Sequence, residues 1–292
     1  MAETNDPSLW RDRLPWPDAA SHKHSRGRLG VVSGGPLNTG AARLAARAGL
    51  RAGAGLVKVL CPPAAAPIVA GALEAVMVEA FTSPESLETL AEAMDAFVIG
   101  PAAGLNEATV QNLAALARTG AALVVDADAL TLFKGRGVDL FASLDRDDVL
   151  TPHEGEFERV FPGLLEQGRE AAAVEAARQA GAHIVLKGAE TIVAAPDGRT
   201  RINPNGSPWL ATAGSGDVLA GLIGGLVAQR MPTFDAASAA VWMHAAAAER
   251  FGPGLIAEDL PGILPAVLSQ LRLSVASPLV GQGGSRRLTD EG

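Results

Sequence analysis

The stretch "ATAGSGDVLAG", residues 211–221, places a carboxylate directly behind two glycines at the start of an apolar run. Backbone N–H groups at a helix start bind anions, and glycines such as Gly214 and Gly216 let a phosphate approach the main chain. Asp217 would face that anion, and the repulsion between the two negative charges would weaken simple binding. The position suits a base that takes the proton of a hydroxyl group as this hydroxyl attacks phosphorus. This stretch alone supports equally well a plain N-cap role for Asp217 behind a glycine turn.

Three more polar residues end predicted strands, where ligands bind in a parallel α/β sheet. Asp126 and Asp128 in "VVDADAL" could support a metal or orient a hydroxyl, although helix capping explains Asp128 at least as well. Lys187 in "HIVLKG" could neutralise phosphate oxygens as a point charge, although most lysines at strand ends are only solvated. Each signal is weak by itself, and their common position is what makes them candidates.

The segment "LTPHEGEF", residues 150–157, follows another predicted strand. Thr151 and Glu154 have the spacing of a capping box, and Pro152 occupies the favoured first helical position. This arrangement leaves His153 outside the cap, at the ligand end of the sheet. Taken alone, His153 is better explained as a solvated surface histidine.

The strands and helices that must position these residues are predicted to form one α/β fold. Short apolar strand candidates alternate with helical segments and begin at Leu29, Gly55, Ala75, Ala96, Ala122, Asp147 and His183. This alternation predicts a mostly parallel sheet with helices on both faces. Asp197-Gly198 predicts a hairpin turn, and the C-terminal third, from Gly216 to Arg272, is predicted to be helical. The small residues Gly40, Ala41 and Ala42 begin a helix after the first strand and leave room for a ligand.

Composition narrows the class of protein. The 292 residues are 48% hydrophobic and 19% charged, with a net charge of -8, which favours a globular fold and argues against nucleic-acid binding. Cys61 is the single cysteine, and neither a signal peptide nor a membrane span is evident, so a cytoplasmic protein is expected. We predict an N-terminal extension (1–26), one domain (27–272) and a flexible tail (273–292).

Six motifs in this order, "GGPLNTGAARLAARAGLRAGAGLVKV", "VIGPAAGL", "VVDADAL", "LTPHEGEF", "VLKGAET" and "ATAGSGDVLAGLIGGLVAQ", closely resemble the NAD(P)H-hydrate dehydratase family. The resemblance covers residues 27–271 and implies a ribokinase-like fold. One departure is that the family's "GPGLG" reads "GPAAG" here, with Ala102 and Ala103 in the loop.

The resemblance implies a nicotinamide-nucleotide repair enzyme, a lyase that dehydrates the (6S) hydrate of NADH or NADPH. ADP phosphorylates the C6 hydroxyl, giving NAD(P)H, AMP and phosphate, with Mg²⁺ held mainly by nucleotide phosphates; ATP as donor stays open. Asp217 is the implied catalytic base, and the implied nucleotide contacts are Lys187, Gly188, Ala189, Glu190, Thr191 and Gly216. The implied hydrate contacts are Ala41, Ala42, Gly104, His153 and Asp217, with Gly40, Asp126, Asp128 and Gly214 in support.

The resemblance also implies a homotetramer. Because the chain has no room for the N-terminal epimerase domain of many bacterial relatives, we expect a separate epimerase to supply the S form. Two other functions stay open: a kinase of the same fold acting on a vitamin-like alcohol, and a nucleotide-binding regulator without turnover.

Overall fold

A ten-stranded sheet forms the centre of the computed structural model, which describes residues 2–276. The strands are Glu3–Thr4 (β1), Arg28–Val32 (β2), Leu56–Cys61 (β3), Met77–Ala80 (β4), Ala96–Ile99 (β5), Ala122–Val125 (β6), Val149–Leu150 (β7), His183–Leu186 (β8), Thr191–Ala194 (β9) and Thr200–Asn203 (β10). Their order is β1-β10-β9-β8-β7-β6-β5-β2-β3-β4. Strands β2 to β8 are parallel to their neighbours within that group, and only the β8–β9 and β9–β10 pairs are antiparallel in the described sheet.

Helices cover both faces of the sheet. They are Gly40–Arg51 (α1), Ala66–Ala70 (α2), Pro84–Ala91 (α3), Glu107–Ala117 (α4), Ala127–Thr131 (α5), Gly137–Phe141 (α6), Glu154–Val160 (α7), Arg169–Ala180 (α8), Ser215–Ala228 (α9), Thr233–Phe251 (α10) and Leu260–Ala276 (α11). One buried core lies between the sheet and α1, α9, α10 and α11, and a second lies between the opposite face and α3 to α8. The predicted fold class is therefore confirmed.

The predicted strands and the hairpin at Asp197-Gly198 are all present, whereas β1 was not predicted. Strand β1 has only two residues, is exposed on both, and pairs through its backbone with Arg201 and Ile202, so no apolar pattern marks it. The N-terminal segment nevertheless packs against the domain, since Trp10 is 1% exposed and belongs to the core.

Helix α9, which carries Asp217, packs unusually close to α1. A side chain at Gly221 would overlap the carbonyl oxygen of Ala45, and one at Gly225 would press on the backbone of Gly49. Small residues on both helices therefore let the two backbones approach, and this contact fixes where the first turn of α9 lies.

The described chain ends inside the predicted tail. Helix α11 continues to Ala276, past the predicted tail start at residue 273, and residues 277–292 lie outside the described residues. Between residues 2 and 276, no helix has the length and apolarity needed to cross a membrane.

Candidate active site

The loops that leave the carboxyl ends of the central parallel strands meet beside the start of α9. His153 and Lys187 form a parallel bridge between two of these loops, and the Lys187 N–H donates to the Pro152 carbonyl at 2.9 Å. The Gly104 N–H donates to Asp128 Oδ2 at 2.9 Å, which joins two further loops. The fold thus gathers residues that are more than 80 positions apart in the sequence.

Lys187 is the centre of a cluster of acidic groups. Its Nζ donates to Asp126 Oδ1 at 2.8 Å and lies 3.7 Å from Glu156 Oε2, while Asp126 is 1% exposed. Burial alone would lower the pKa of Lys187, but Asp126 and Glu156 outweigh burial, so the pKa is raised and the ammonium stays charged. A fixed positive charge therefore lies at the strand ends.

Asp217 adds a third carboxylate that has no comparable partner in the cluster. Burial and the nearby Asp126 raise its pKa from 3.8 to about 6. A carboxylate with a pKa near the operating pH can both accept and release a proton, as a general base must. A Cβ on Gly216 would lie 3.5 Å from Lys187 Nζ, so this backbone faces the cation directly.

Asp217 is not the N-cap of its helix. Gly214, with φ +88, holds that position, and no side chain caps the helix start. The first turn of a helix leaves its N–H groups without intrahelical partners, and here they stay open to an anion. The Ser215 hydroxyl is occupied elsewhere, since it donates to the Leu210 carbonyl at 2.8 Å.

The capping box predicted for Thr151 and Glu154 is wrong by two residues. His153 itself is the N-cap of α7: its Nδ1 accepts from the Gly155 and Glu156 N–H groups, and Glu156 accepts from the His153 N–H at 2.9 Å. Pro152 stays outside the helix, because the pairing of residues 151–153 with neighbouring strands keeps the chain extended there. The imidazole is thereby oriented, with its side chain 55% exposed.

Asp126 and Asp128 also differ from simple helix caps. Asp126 stands at the N-cap position of α5 but makes no capping bond, because its carboxylate pairs with Lys187. Between the two aspartates, Ala127 has φ +48, and Ala102 in the neighbouring loop has φ +50. Such left-handed backbone is costly for alanine, and its concentration here is typical of functional sites.

The start of α1 borders the site from the other side. A Cβ at Gly214 would lie 2.7 Å from Leu44 Cδ1, so the first turns of α1 and α9 are neighbours. Gly40 is exposed with open space around it and Ala41 is half-buried, but the Ala42 side chain lies in the core. Ala42 can therefore face a ligand only through its backbone.

The segment from Gly188 to Glu190 forms an exposed loop that leads into β9 and is held in place by Arg169. Arg169, which no sequence pattern singled out, donates to the carbonyls of Lys187 and Glu190 at 3.3 and 2.9 Å, and its guanidinium fills the space behind Gly188. The loop therefore has a fixed backbone although it carries no regular structure.

A cavity of about 240 Å³ opens beside this loop, lined by Gly188, Ala189 and Thr191 and by residues of the 203–210 segment and α10. His244 lines it, is 6% exposed, and its Nε2 is buried without a hydrogen-bond partner among residues 2–276. Burial lowers the pKa of His244 to about 4, so the ring is neutral at pH 7. An unsatisfied buried nitrogen favours a polar ligand group in this cavity.

Besides Arg169, the sequence did not indicate two further polar groups of the site, Glu156 and His244. Glu156 stands three residues after His153, a spacing that could have indicated the true capping box. His244 lies in an alanine-rich helical stretch, where a lone histidine gives no signal.

The site is better suited to a Mg²⁺ ion that arrives bound to the phosphates of a ligand than to a Mg²⁺ ion held permanently by the protein. No group of three or more His, Cys, Asp or Glu side chains within residues 2–276 could hold a metal by itself. Asp126 and Asp217 lie close enough to raise the pKa of Asp217, and Mg²⁺ typically binds one or two carboxylates together with substrate phosphates.

The chain is similar to one protein family along most of its length. The family model described as NAD(P)H-hydrate dehydratase matches residues 29–264. A bifunctional NAD(P)H-hydrate repair enzyme from Gloeobacter violaceus is 43% identical over 85% of this chain and 51% of its own length. The chain thus spans about half the length of that relative. The ADP-dependent (S)-NAD(P)H-hydrate dehydratase of Xanthomonas campestris is 35% identical over 88% of this chain and 93% of its own length.

Solved structures agree with the sequence relatives. The ADP/ATP-dependent NAD(P)H-hydrate dehydratase from Bacillus subtilis, crystallised with ATP and Mg²⁺, superposes with a TM-score of 0.79 at 28% identity. The match covers 92% of this chain and 99% of the Bacillus chain. A ribokinase-like protein from Enterococcus faecalis gives the same TM-score at 26% identity, covering 89% and 94% of the two chains. The fold is ribokinase-like, and the chain belongs to the NAD(P)H-hydrate dehydratase family.

Proposed function

We propose that this chain dehydrates the (6S) hydrate of NADH and NADPH with ADP as phosphoryl donor, giving NAD(P)H, AMP and phosphate. The observation that carries the proposal is the position of Asp217. It lies on the open first turn of α9, beside Gly216 and Lys187, with a pKa raised to about 6. The proposed catalytic domain is residues 27–272, which includes the whole family match.

In the proposed reaction, Asp217 accepts the proton of the C6 hydroxyl as that oxygen attacks the terminal phosphorus of ADP. The bond from this phosphorus to the bridging oxygen breaks, and AMP leaves. The C6 phosphate is then expelled by the electron pair of the ring nitrogen, with loss of a proton from the adjacent carbon. A positioned general base contributes a factor of about 10²–10⁴ to the rate.

The remaining residues supply charge and position. Lys187 and the N–H groups at the start of α9 face the transferred phosphoryl group, where negative charge increases in the transition state. Residues 188–191 and the His244 cavity hold the nucleoside, while Gly104, His153 and the backbone of residues 40–42 border the hydrate. A Mg²⁺ ion on the phosphates, held with Asp126 or Asp217, would supply further positive charge.

We also propose the setting of the reaction. The protein acts in the cytoplasm as a homotetramer, and a separate epimerase converts the R hydrate to the S hydrate. These proposals rest on the family relationship.

A repair assay tests the proposal. Purified protein is mixed with acid-hydrated NADH, Mg²⁺ and either ADP or ATP, while absorbance at the reduced-nicotinamide band and released phosphate are followed. We expect NADH recovery with one phosphate released per NADH, stopping when the S hydrate is used up. Nucleotide consumption that leaves a stable phosphorylated alcohol would instead support a kinase, and nucleotide binding without any product would support a regulator.

A further inference from the structure

A second concave surface lies at the opposite, amino-terminal end of the strands. We call it the arginine groove, and its volume is about 300 Å³. Its polar lining consists of Arg26, just before β2, Arg51 at the end of α1, Gln229, just after α9, and Arg272 on α11. Its apolar wall consists of Leu14, Trp16, Leu50, Leu226 and Leu268. The candidate active site is at the carboxyl ends of the same strands, so the two surfaces are separated by the sheet.

The groove concentrates positive charge on its lining, although Arg51 also borders a neighbouring cavity that contains Glu74 and Glu258. Arg26, Arg51 and Arg272 form no salt bridge with any described residue, and no acidic side chain lines the groove. The chain has 32 acidic against 24 basic residues, so three unpaired guanidinium groups in one place are unexpected. Like charges repel one another, and a bound anion relieves that repulsion.

Hydrogen-bond donors in the groove are also left without acceptors. Trp16 Nε1 and Arg26 Nε are buried and have no partner in the described structure. Unpaired buried donors cost free energy, which an acceptor oxygen of a ligand would recover. These orphan donors are independent of the charge argument and point to the same kind of ligand.

The floor of the groove is already fixed in shape. Gln229 donates to the carbonyls of Ala52 and Gly225 at 3.0 and 2.7 Å, and the Arg272 guanidinium lies 5.9 Å from the centre of the Trp16 ring. Gly53 has φ +108, a conformation that side chains disfavour, and its bare backbone lies against the ends of the Gln229 and Arg26 side chains. A preorganised surface loses less entropy when a ligand binds.

We propose that the arginine groove is a second binding site, for a small organic anion with a flat apolar body, such as an aromatic carboxylate, sulfonate or phosphate monoester. The guanidinium groups and the Trp16 N–H contact the anionic group, and the apolar wall contacts the body. The site is independent of the proposed dehydration chemistry, because none of its residues lies at the carboxyl ends of the strands.

The probe is 8-anilinonaphthalene-1-sulfonate, compared with N-phenyl-1-naphthylamine, which has the same rings without the sulfonate. Fluorescence titrations are run with saturating ADP and Mg²⁺ so that the nucleotide cavity is closed to the probe. We expect saturable binding of the sulfonate probe. Probe fluorescence excited by energy transfer from tryptophan should be weaker in Trp16→Phe. The double variant Arg51→Gln/Arg272→Gln should bind it roughly tenfold more weakly, since two charge-assisted contacts are lost.

The matched control is Arg230→Gln, which removes an exposed guanidinium outside the groove and should leave sulfonate binding unchanged. Arg51 and Arg272 are exposed, so their variants should melt like the parent protein. The proposal is overturned if the parent protein shows no saturable binding, if the neutral probe binds as tightly as the sulfonate, or if the double variant binds like Arg230→Gln.

Discussion

Two ion clusters in this molecule differ in charge balance: one has an excess of carboxylates, and in the other two guanidinium groups are matched by two carboxylates, Asp235 and Glu3. At the strand ends, the Lys187 cation faces Asp126, Glu156 and Asp217. Under the N-terminal segment, the Asp235 carboxylate pairs with Arg13 and with Arg201 Nη1, the latter at 2.8 Å. Asp235 is 0% exposed, and the Arg201 guanidinium also stacks 4.5 Å from the centre of the Phe234 ring.

The difference separates a structural cluster from the cluster that we propose is catalytic. In the Asp235 cluster, the oxygens of the carboxylate are satisfied and the neighbours close over them. In the Lys187 cluster, negative charge is in excess, and Asp217 holds its proton to about pH 6 at an open helix start. Excess charge next to unpaired backbone donors costs stability, and such costs are typical of sites that bind and transform a ligand.

The sharpest test of this contrast is Asp217→Asn. We expect kcat to fall by about 10²–10⁴, because the base is lost while the shape is kept. Nucleotide affinity, measured by calorimetry with ADP, should change little. Full activity of this variant would remove Asp217 from the mechanism.

The matched substitution in the other cluster is Asp235→Asn. It removes the buried carboxylate that pairs with both Arg13 and Arg201, leaving Arg201 only the exposed Glu3 at 3.7 Å. It should lower the free energy of unfolding by about 3–5 kcal/mol. Urea denaturation measures this loss of stability. The kcat per folded molecule should stay within about twofold of the parent value, because Asp235 lies away from the candidate active site. A large fall in kcat with normal stability would contradict the structural role.

Lys187→Met tests the central cation. We expect kcat/KM to fall roughly 10²–10³-fold, since a charge facing the transition state is removed. Lys58→Met is the control, because Lys58 also forms a close ion pair, at 2.7 Å with Glu79, but in β3 and away from the site. Equal losses in the two variants would mean that Lys187 acts through stability alone.

A smaller effect concerns stability and pH. Because the folded-state pKa of Asp217 is raised from 3.8 to about 6, the folded protein binds an extra proton between these values and loses stability as pH rises through them. Asp217→Asn should therefore be more stable than the parent above pH 6, by on the order of 3 kcal/mol, and close to it near pH 4. Thermal melts across this range measure the difference, and a variant less stable at pH 7 would contradict the assigned pKa shift.

Much of the fold followed from sequence because its signals are local. The strands from Leu29 to Leu186 are apolar runs bounded by turns, and the Asp197-Gly198 hairpin has its own turn residues. Strand β1 was not predicted, because it has only two residues, both exposed, and it pairs with β10 through its backbone. It therefore carries no apolar pattern.

The sequence indicated several residues of the candidate site singly, but not the network that they form. Asp217, Lys187 and Asp126 were each candidates, yet their pairing depends on strand order, which no local pattern encodes. The His153 cap was misassigned because histidine is an uncommon cap and Thr151 had the expected spacing; strand pairing decided the outcome instead. Arg169 lies far along the chain from the loop carbonyls that it binds, so nothing near it marked its role.

The most direct test of the central claim is the pH dependence of kcat/KM for dehydration of the S hydrate with saturating ADP and Mg²⁺. The parent protein should show an ascending limb with a pKa of about 6, set by Asp217, and the residual rate of Asp217→Asn should lack that limb. A flat profile in the parent protein, or the same limb persisting in Asp217→Asn, would contradict the assignment of Asp217 as the base.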